Sequence, residues 1–592
     1  MQKYALFSFL CYTINGDDIM TLKEIRIIKG LTQSECASYL GISLRSYKSY
    51  ENDLDKQVTL KYKVLCSKLI SYNKNGLILN EDVGFNTNVV IGEKLLRLYK
   101  EVELYKKRDC YKYLKRYIDG KYIGKVCILY GLRRTGKTTM LFQLIGELNK
   151  KETAYIKIDK KDNMSLLLKD IKLLNEMGYK NILIDEITLM SDFIDCASVL
   201  SDVYSMLGMK IVMSGTDSLG FLLADRDELY DRNIMIHTSF ISFKEYSFLL
   251  NINSIDKYIE YGGTLKKENM NFDDEDYLSD EVSFKNDEST RKYIDSSIAR
   301  NIQHSLKNDN LGIYFNELRE LYENNELTNA INRIVEDMNH RFLIKVIEDE
   351  YKSKDLGSSK NLLLKEAPLE RAFILKNIDL KEVIQLLKRL IEIKERDETK
   401  VKVLDSHISK IKFYLFALDL IYKSEVIYES GINEEYIIFV QPGMRYSITK
   451  GLVYSLLKDK YFSSVSNEDR NYIIDKILSD VKGRMLEDIV LLEVNKKLSK
   501  DKKVFKYKFN LGGEFDMVIY DSKSNTCEIY EIKHSNKIDS KQTRFLNDNN
   551  KCETLEKIYG RIIGKYVLYR GDKKVVGDIQ YLNVEEYLLN LK

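Results

Sequence analysis

The sequence predicts a multidomain α/β protein with a short all-α domain at its front. Three observations carry that expectation. The chain has 592 residues, more than one hydrophobic core usually supports. An apolar run, Val126–Tyr130, passes through a glycine-rich turn directly into an amphipathic helical pattern. Near the C-terminus, "GGEFDMVIYDSKSNTCEIYEIKHS" (512–535) alternates apolar and polar residues as a hairpin does.

Composition narrows the class. The chain is 44% hydrophobic and 31% charged, with a net charge of +3. A near-neutral balance at this size requires any nucleic-acid surface to be local. No apolar run is long enough to span a membrane, so no membrane partner is expected. The eight cysteines are scattered without C-x-x-C or Cys/His pairing, which fits reduced thiols in a cytoplasmic setting. Residues 1–19 include the short apolar stretch 4–14 and read as a poorly ordered or wrongly assigned start before Met20.

The first expected domain is 20–74. "TLKEIRIIKG" places Leu22, Ile25 and Ile28 on one helical face. Thr32 with Glu35 has the capping-box spacing, and Ser43 caps the next helix. The run "LTQSECASYLGIS…SYEN" resembles the helix-turn-helix of the Cro/repressor-like (XRE) family over about fifty residues. The resemblance implies that Ser43–Tyr50 enters a DNA major groove, with Ser43, Arg45, Ser46 and Lys48 as the DNA-binding set. Arg suits a guanine edge and Lys a phosphate. Residues 75–120 follow as a basic helical linker, with Leu95, Leu98, Val102 and Tyr105 at helical spacing; a phosphate-tracking role is the other reading of this stretch.

Residues 121–262 carry the strongest signal. Gly131-Leu132-Arg133-Arg134-Thr135-Gly136-Lys137-Thr138-Thr139 lies between a strand and a helix, the context a P-loop requires. Its backbone N–H groups would cradle the phosphates of ATP or GTP, with ATP preferred. Lys137 would reach the β- and γ-phosphates and Thr138 would hold Mg²⁺. "NILIDEI" ends a second strand in Asp185, a Mg²⁺ support, and Glu186, which would polarise the attacking water. "KIVMSGT" ends in Ser214, Gly215 and Thr216, positioned to sense the γ-phosphate. Arg226 and Arg232 are candidate arginine fingers, Arg232 the preferred one. Strands alternating with helices imply a doubly wound parallel sheet.

"GLRRTGKTT", "ILIDEI", "IVMSGTDS", "DR…TSFISFKEY" and "YIEYGGTL" together resemble a group of bacterial and archaeal AAA+-superfamily ATPases. The resemblance runs on through "IIFVQPGMRY" (437–446). It departs where Asp231-Arg232 replaces the usual Gly-Arg, and in a long middle section. Residues 263–290 are acidic and expected as a flexible loop. Residues 291–475 read as helical, and the resemblance implies a winged-helix-like element near 405–450.

In 476–592, Glu487 borders the apolar stripe of a helix, Glu514 and Asp516 share one strand face, and Glu531 shares another with Lys533. Their order resembles the PD-(D/E)XK nuclease core, a C-terminal α/β restriction-endonuclease-like domain. The resemblance implies that Asp516 and Glu531 ligate Mg²⁺, that Glu487 adds a carboxylate, and that Lys533 orients the nucleophile. Lys541 or Gln542 would assist. Combined, these readings describe an ATP-hydrolysing DNA-binding protein, a possible homo-oligomer, with a Mg²⁺-dependent nuclease domain serving defence or a mobile element. The alternative is an ATP-gated DNA-binding regulator or scaffold whose nuclease-like domain does not cut. An RNA substrate has no motif in its favour.

Overall fold

The structure is a computed structural model. It describes residues 21–28, 31–40, 42–53, 62, 65–66, 69, 84–190, 192–216, 221, 229, 231–265, 284, 286–308, 316–352, 403–455 and 467–591. The expected start (1–19), Arg226 and most of the acidic loop lie outside them. The chain divides into two compact units, Met1–Phe85 and Asn86–Lys592. Among the described residues, no helix is long and apolar enough to cross a membrane.

In the first unit, helices span Leu22–Ile28, Gln33–Leu40 and Leu44–Asn52. Two reciprocal caps start the first two: the Thr21 amide donates to Glu24 (2.8 Å), and the Thr32 amide to Glu35 (2.7 Å). Leu22, Ile25, Cys36, Leu40 and Tyr47 form the core. Arg26 donates to buried Glu51 at 2.7 Å, tying the first helix to the third.

In the second unit, one sheet contains β1 (Asn88–Ile91), β2 (Val126–Tyr130), β3 (Thr153–Lys157), β4 (Asn181–Asp185), β5 (Lys210–Gly215) and β6 (Asn233–His237). Their spatial order is β1-β3-β4-β5-β2-β6. All neighbours are parallel except β1 against β3. The near-continuous apolar strands β2, β4 and β5 suit burial on both faces. Residues 94–119, read from sequence as linker, form helices Lys94–Lys100 and Tyr111–Asp119. Leu95, Tyr111, Leu114 and Tyr117 join the sheet's core, while the lysines between them face water.

A second sheet runs β13-β14-β12-β11-β10-β9-β7-β8. Its strands are β7 (Ile421–Tyr428), β8 (Asn433–Phe439), β9 (Lys502–Lys508), β10 (Glu514–Asp521), β11 (Thr526–Ile532), β12 (Arg561–Tyr569), β13 (Lys574–Val576) and β14 (Ile579–Asn583). The hairpin β7–β8 occupies the region read as winged-helix-like, and it pairs through β7 in parallel with β9. The middle of the chain and its C-terminus therefore share one sheet. The helix Asn467–Lys497 runs unbroken across residues 475–476, where a domain boundary was expected.

That long helix packs its Ile477, Val481, Leu486, Val490 and Val494 into one core with Phe243, Tyr246, Ile255 and Tyr258 from the P-loop side. Two of its acids are buried. Asp488 accepts from Arg445 (2.8 Å) and Tyr436 (2.8 Å). Glu493 accepts the Phe243 amide at 2.5 Å, at the start of the helix Phe243–Leu250. Burial pushes the Glu493 carboxyl up to about 8.

A carboxyl raised in the folded state contributes stability that is full below its unfolded value, near 4.5, and is lost as pH rises through about 8. Thermal melts should therefore fall more steeply between about pH 4.5 and 8 in the native chain than in Glu493→Gln. Parallel profiles would refute the assignment. Arg445→Met should cost about 3–5 kcal/mol in denaturant titration, because it strands a buried carboxylate.

Candidate nucleotide and acidic sites

The loop after β2 is shaped by what surrounds it. Gly131 has φ 142°, and a Cβ there would lie 2.6 Å from Thr238 Oγ1 and 2.9 Å from the Ser239 amide; only glycine fits. Gly136 begins the helix Lys137–Glu147, so the loop's amides open onto a helix N-terminus. Lys137 is buried and donates to the carbonyls of Gly131 (2.7 Å) and Leu132 (2.8 Å). Burial lowers its ammonium to about 8, a state that a phosphate neighbour would reverse.

Asp185 ends β4 fully buried and gathers four donors. They are Thr138 (3.0 Å), Tyr155 (2.9 Å), Lys157 (2.8 Å) and, closest, Ser214. Burial alone would raise its pKa, yet Lys157 with these hydroxyls holds it below the usual carboxylate range. Because β5 lies between β2 and β4, Ser214 sits between the P-loop and Asp185. Glu186 adopts φ 61° and accepts from Thr216 at 3.3 Å. The structure thus brings Lys137, Thr138, Asp185, Glu186 and Ser214 together. The donor set fits a Mg²⁺-nucleotide: a Thr hydroxyl and an ionised carboxylate already paired, beside an amide-lined loop.

Arg232 is not part of that group. Its carbonyl accepts the Val126 amide at the start of β2, and its guanidinium pairs with Asp202 at 3.0 Å. It lies one strand length, roughly 17 Å, from the phosphate end. Sequence reading missed Arg108, which is buried and donates to the carbonyls of Thr135 (2.6 Å), Thr238 (2.7 Å) and Phe240 (2.9 Å). Its counter-ion is Glu245, at 2.7 Å. It also missed Tyr155 and Lys157. Arg108 stands in a basic stretch whose other charges are solvated, so charge pattern alone did not single it out.

The loop is gripped from further away too. Leu265 donates its amide to Arg134 O (2.7 Å) and Tyr293 its hydroxyl to Arg133 O (3.2 Å). Gln441 bonds both Gly263 O (2.9 Å) and Tyr293 Oη (3.0 Å). Gly263, at φ 103°, has Gln441 Cα 2.6 Å from where a Cβ would stand. The two short motifs "YGGT" and "VQPG" are thereby one contact.

In the second sheet, Met517 pairs with Tyr530, which makes Asp516 and Glu531 cross-strand neighbours. Both are about 3% exposed. Lys533 donates to Asp516 at 2.9 Å and lies 2.8 Å from Glu531. The Ile532 amide adds a bond to Asp516 at 2.8 Å. Burial lifts the Glu531 carboxyl well above the usual range, and its Oε1 finds no hydrogen-bond partner among the described residues. Glu487 reaches the cluster from the long helix, where burial also pushes its carboxyl up. Asp516 and Glu531 on the sheet, with Glu487 from the helix, are oxygen donors suited to a hard divalent cation, and Lys533 balances their charge. Gln542 is turned away, donating to the Lys537 carbonyl at 2.9 Å.

On the first unit, Arg45, Ser46 and Lys48 are exposed on the third helix. Ser43 is engaged in capping: its Oγ accepts the Ser46 amide at 3.1 Å.

Arg108→Met would leave the Thr135 carbonyl without its donor and Glu245 without its counter-ion. Affinity for a fluorescent ATP analogue should fall at least about tenfold, by roughly the loss of one or two charge-assisted hydrogen bonds. Unchanged affinity would show that the guanidinium does not hold the loop.

A relative from Methanocaldococcus jannaschii, itself an uncharacterized protein, is 23% identical over 441 residues, covering 72% of this chain and 79% of the relative. Residues 124–247 match the family described as AAA domain. That span holds β2 through β6 with Lys137, Asp185, Glu186 and Ser214, and on loop and match together it is an AAA-type P-loop domain, which implies a nucleotide ligand.

Proposed function

We propose that this protein hydrolyses ATP in its AAA-type domain and acts on DNA, cleaving phosphodiester bonds at the acidic centre of its second sheet. The carrying observation is the convergence of Asp516 and Glu531 on adjacent strands, both buried, with the partly exposed Lys533 within ion-pair distance of each. An isolated surface hairpin would leave these charges in water. Here the two carboxylates are desolvated, an arrangement that is costly without a ligand or a task.

In the AAA-type domain, Lys137 is the phosphate-binding cation, and Thr138 with Asp185 would hold Mg²⁺. Glu186 accepts a proton from the attacking water. Ser214 bonds Asp185 and lies 3.4 Å from the Glu186 amide, so it can report the γ-phosphate to both. In the second sheet, Asp516 and Glu531 would hold Mg²⁺, with Glu487 beside them. A divalent cation bound there supplies an activated water and neutralises charge on the scissile phosphate. Lys533 orients the nucleophile or balances the phosphate. The exposed set Arg45, Ser46 and Lys48 contacts DNA, Arg45 suiting a guanine edge. Self-association into a homo-oligomer fits the same reading, because Arg232 would meet a nucleotide only across copies.

A second reading, an ATP-gated regulator or scaffold, is favoured by one feature of the acidic centre. Its carboxylates are already met by internal cations: Lys533, Lys506 and Arg484.

Plasmid incubated with the protein, ATP and Mg²⁺ or Mn²⁺ should be nicked. Asp516→Ala and Lys533→Ala should abolish nicking while ATP turnover persists, and Lys137→Ala should remove turnover. Intact plasmid under every metal and nucleotide combination would leave the regulator reading. Arg45→Ala with Lys48→Ala should weaken DNA binding and flatten its salt dependence by about one to two units of log–log slope.

A further inference from the structure

Glu514 and Asp516 stand two residues apart on β10 and leave the same face of the sheet. Glu487 meets them from the long helix, and one oxygen of each lies within 4.8 Å of the other two. That spacing suits several oxygens closing on one small cation. A separate observation points the same way. The Oε1 of Glu531 is buried beside Asp516 with no donor among the described residues, although hydrogen bonding ordinarily satisfies such an atom.

A cation is already present at the cluster. Lys506, on β9, is 1% exposed and its ammonium is in close contact with Glu487, 3.8 Å from Glu514. Arg484 adds a contact of 2.9 Å to the same Glu487 oxygen, and Lys508 one of 3.4 Å to Glu514. Opposite charge at that range competes directly with any ion the carboxylates would bind.

We propose that Glu514 joins Glu487 and Asp516 as a direct ligand of one Mg²⁺ or Mn²⁺ ion, and that Lys506 is a built-in cation which that ion displaces from Glu487. This rests on the reading above that the centre takes a divalent cation. It adds a ligand and a competitor that the sequence pattern does not contain. Lys506 sets the metal affinity: with the ammonium seated, the centre is charge-compensated and closed. When it swings off Glu487, the most buried of the competing cations leaves and the ion can close on the three carboxylates, with Arg484, Lys508 and Lys533 still beside them. The centre would then fill only above a threshold metal concentration.

The test is Mn²⁺ titration of the nucleotide-free full-length chain, followed by the EPR signal of unbound Mn²⁺. The wild type should bind one ion at this centre. Glu514→Gln should weaken binding at least tenfold, and Lys506→Met should tighten it at least tenfold. Lys506→Arg, which keeps the charge, should stay near wild type. Each variant's affinity for a fluorescent ATP analogue serves as a fold check, and Lys506→Gln replaces Lys506→Met if that variant fails it. Glu514→Gln within twofold of wild type, with Asp516→Asn abolishing binding, would overturn the ligand assignment and leave the metal reading standing. Unchanged or weaker affinity on removal of the Lys506 charge would overturn its role as competitor. A wild-type chain that binds no Mn²⁺ there would instead remove the metal-dependent reading itself.

Discussion

A charge removed from water must meet a fixed opposite charge or a set of hydrogen bonds, and this constraint shapes the helix Asn467–Lys497 more than any apolar contact does. Within seven positions it carries the partly buried Glu487 and the buried Asp488 and Glu493, each facing a different partner. Asp488 is held by Arg445 and Tyr436, beside the "VQPG" turn. Glu493 receives the amide that begins the helix Phe243–Leu250. Glu487 meets Lys506 and Arg484 at the acidic centre. Rotation of the helix about its axis would break all three at once, each at a cost of several kcal/mol. The helix is thereby fixed in register relative to both sheets.

The same logic explains why the P-loop domain does not stand apart. Arg108 and Glu245 are a buried pair that joins the loop's Thr135 to the helix Phe243–Leu250. That helix lies in one apolar core with β10, β11 and the long helix. On the other side of the loop, Gln441 and Tyr293 connect the carbonyls of Gly263 and Arg133. Asp256 closes a further junction: Arg570 donates to it at 2.7 Å and the His534 ring lies at the same distance, one residue from Lys533. Burial would raise that carboxyl, but the hydrogen bond with His534 and the charges of Arg570 and Lys482 lower it to about 2, so it is ionised throughout the ordinary pH range. The two sites are therefore joined through one packed core.

What the sequence made legible was local. The strand, glycine loop and helix around Gly131–Thr138 follow from backbone geometry over a dozen residues. So do the capping boxes at Thr32–Glu35 and the face shared by Glu531 and Lys533. The insertion of β5 between β2 and β4 is a long-range choice with no local signature, although it decides why Ser214 touches Asp185. Glu514 could be seen on the face of Asp516 but not as part of the cluster, because Glu487 approaches from another element. Lys506 had a weak signal. In "KKVFKYK" the lysines at 506 and 508 alternate with Phe505 and Tyr507, a pattern that ordinarily means one solvated face. The long helix covers that face at Lys506, and nothing in the seven residues says so. The hairpin β7–β8 stands where only a winged-helix-like element was implied, and its partner β9 lies more than sixty residues further along the chain.

That separation has a consequence for how the molecule is made. The β7–β8 hairpin leaves the ribosome with the edge of β7 unpaired, and its parallel partner follows only after the whole of the long helix has been synthesised. At about 5–20 residues per second, the edge waits several seconds, far longer than a hairpin needs to form. An unpaired edge of eight residues is a template for pairing with any other nascent strand. Lys423 and Glu425, both on β7, place charge along it during this interval. The acidic centre, assembled from the helix and from β9, β10 and β11, comes into being only when that wait is over.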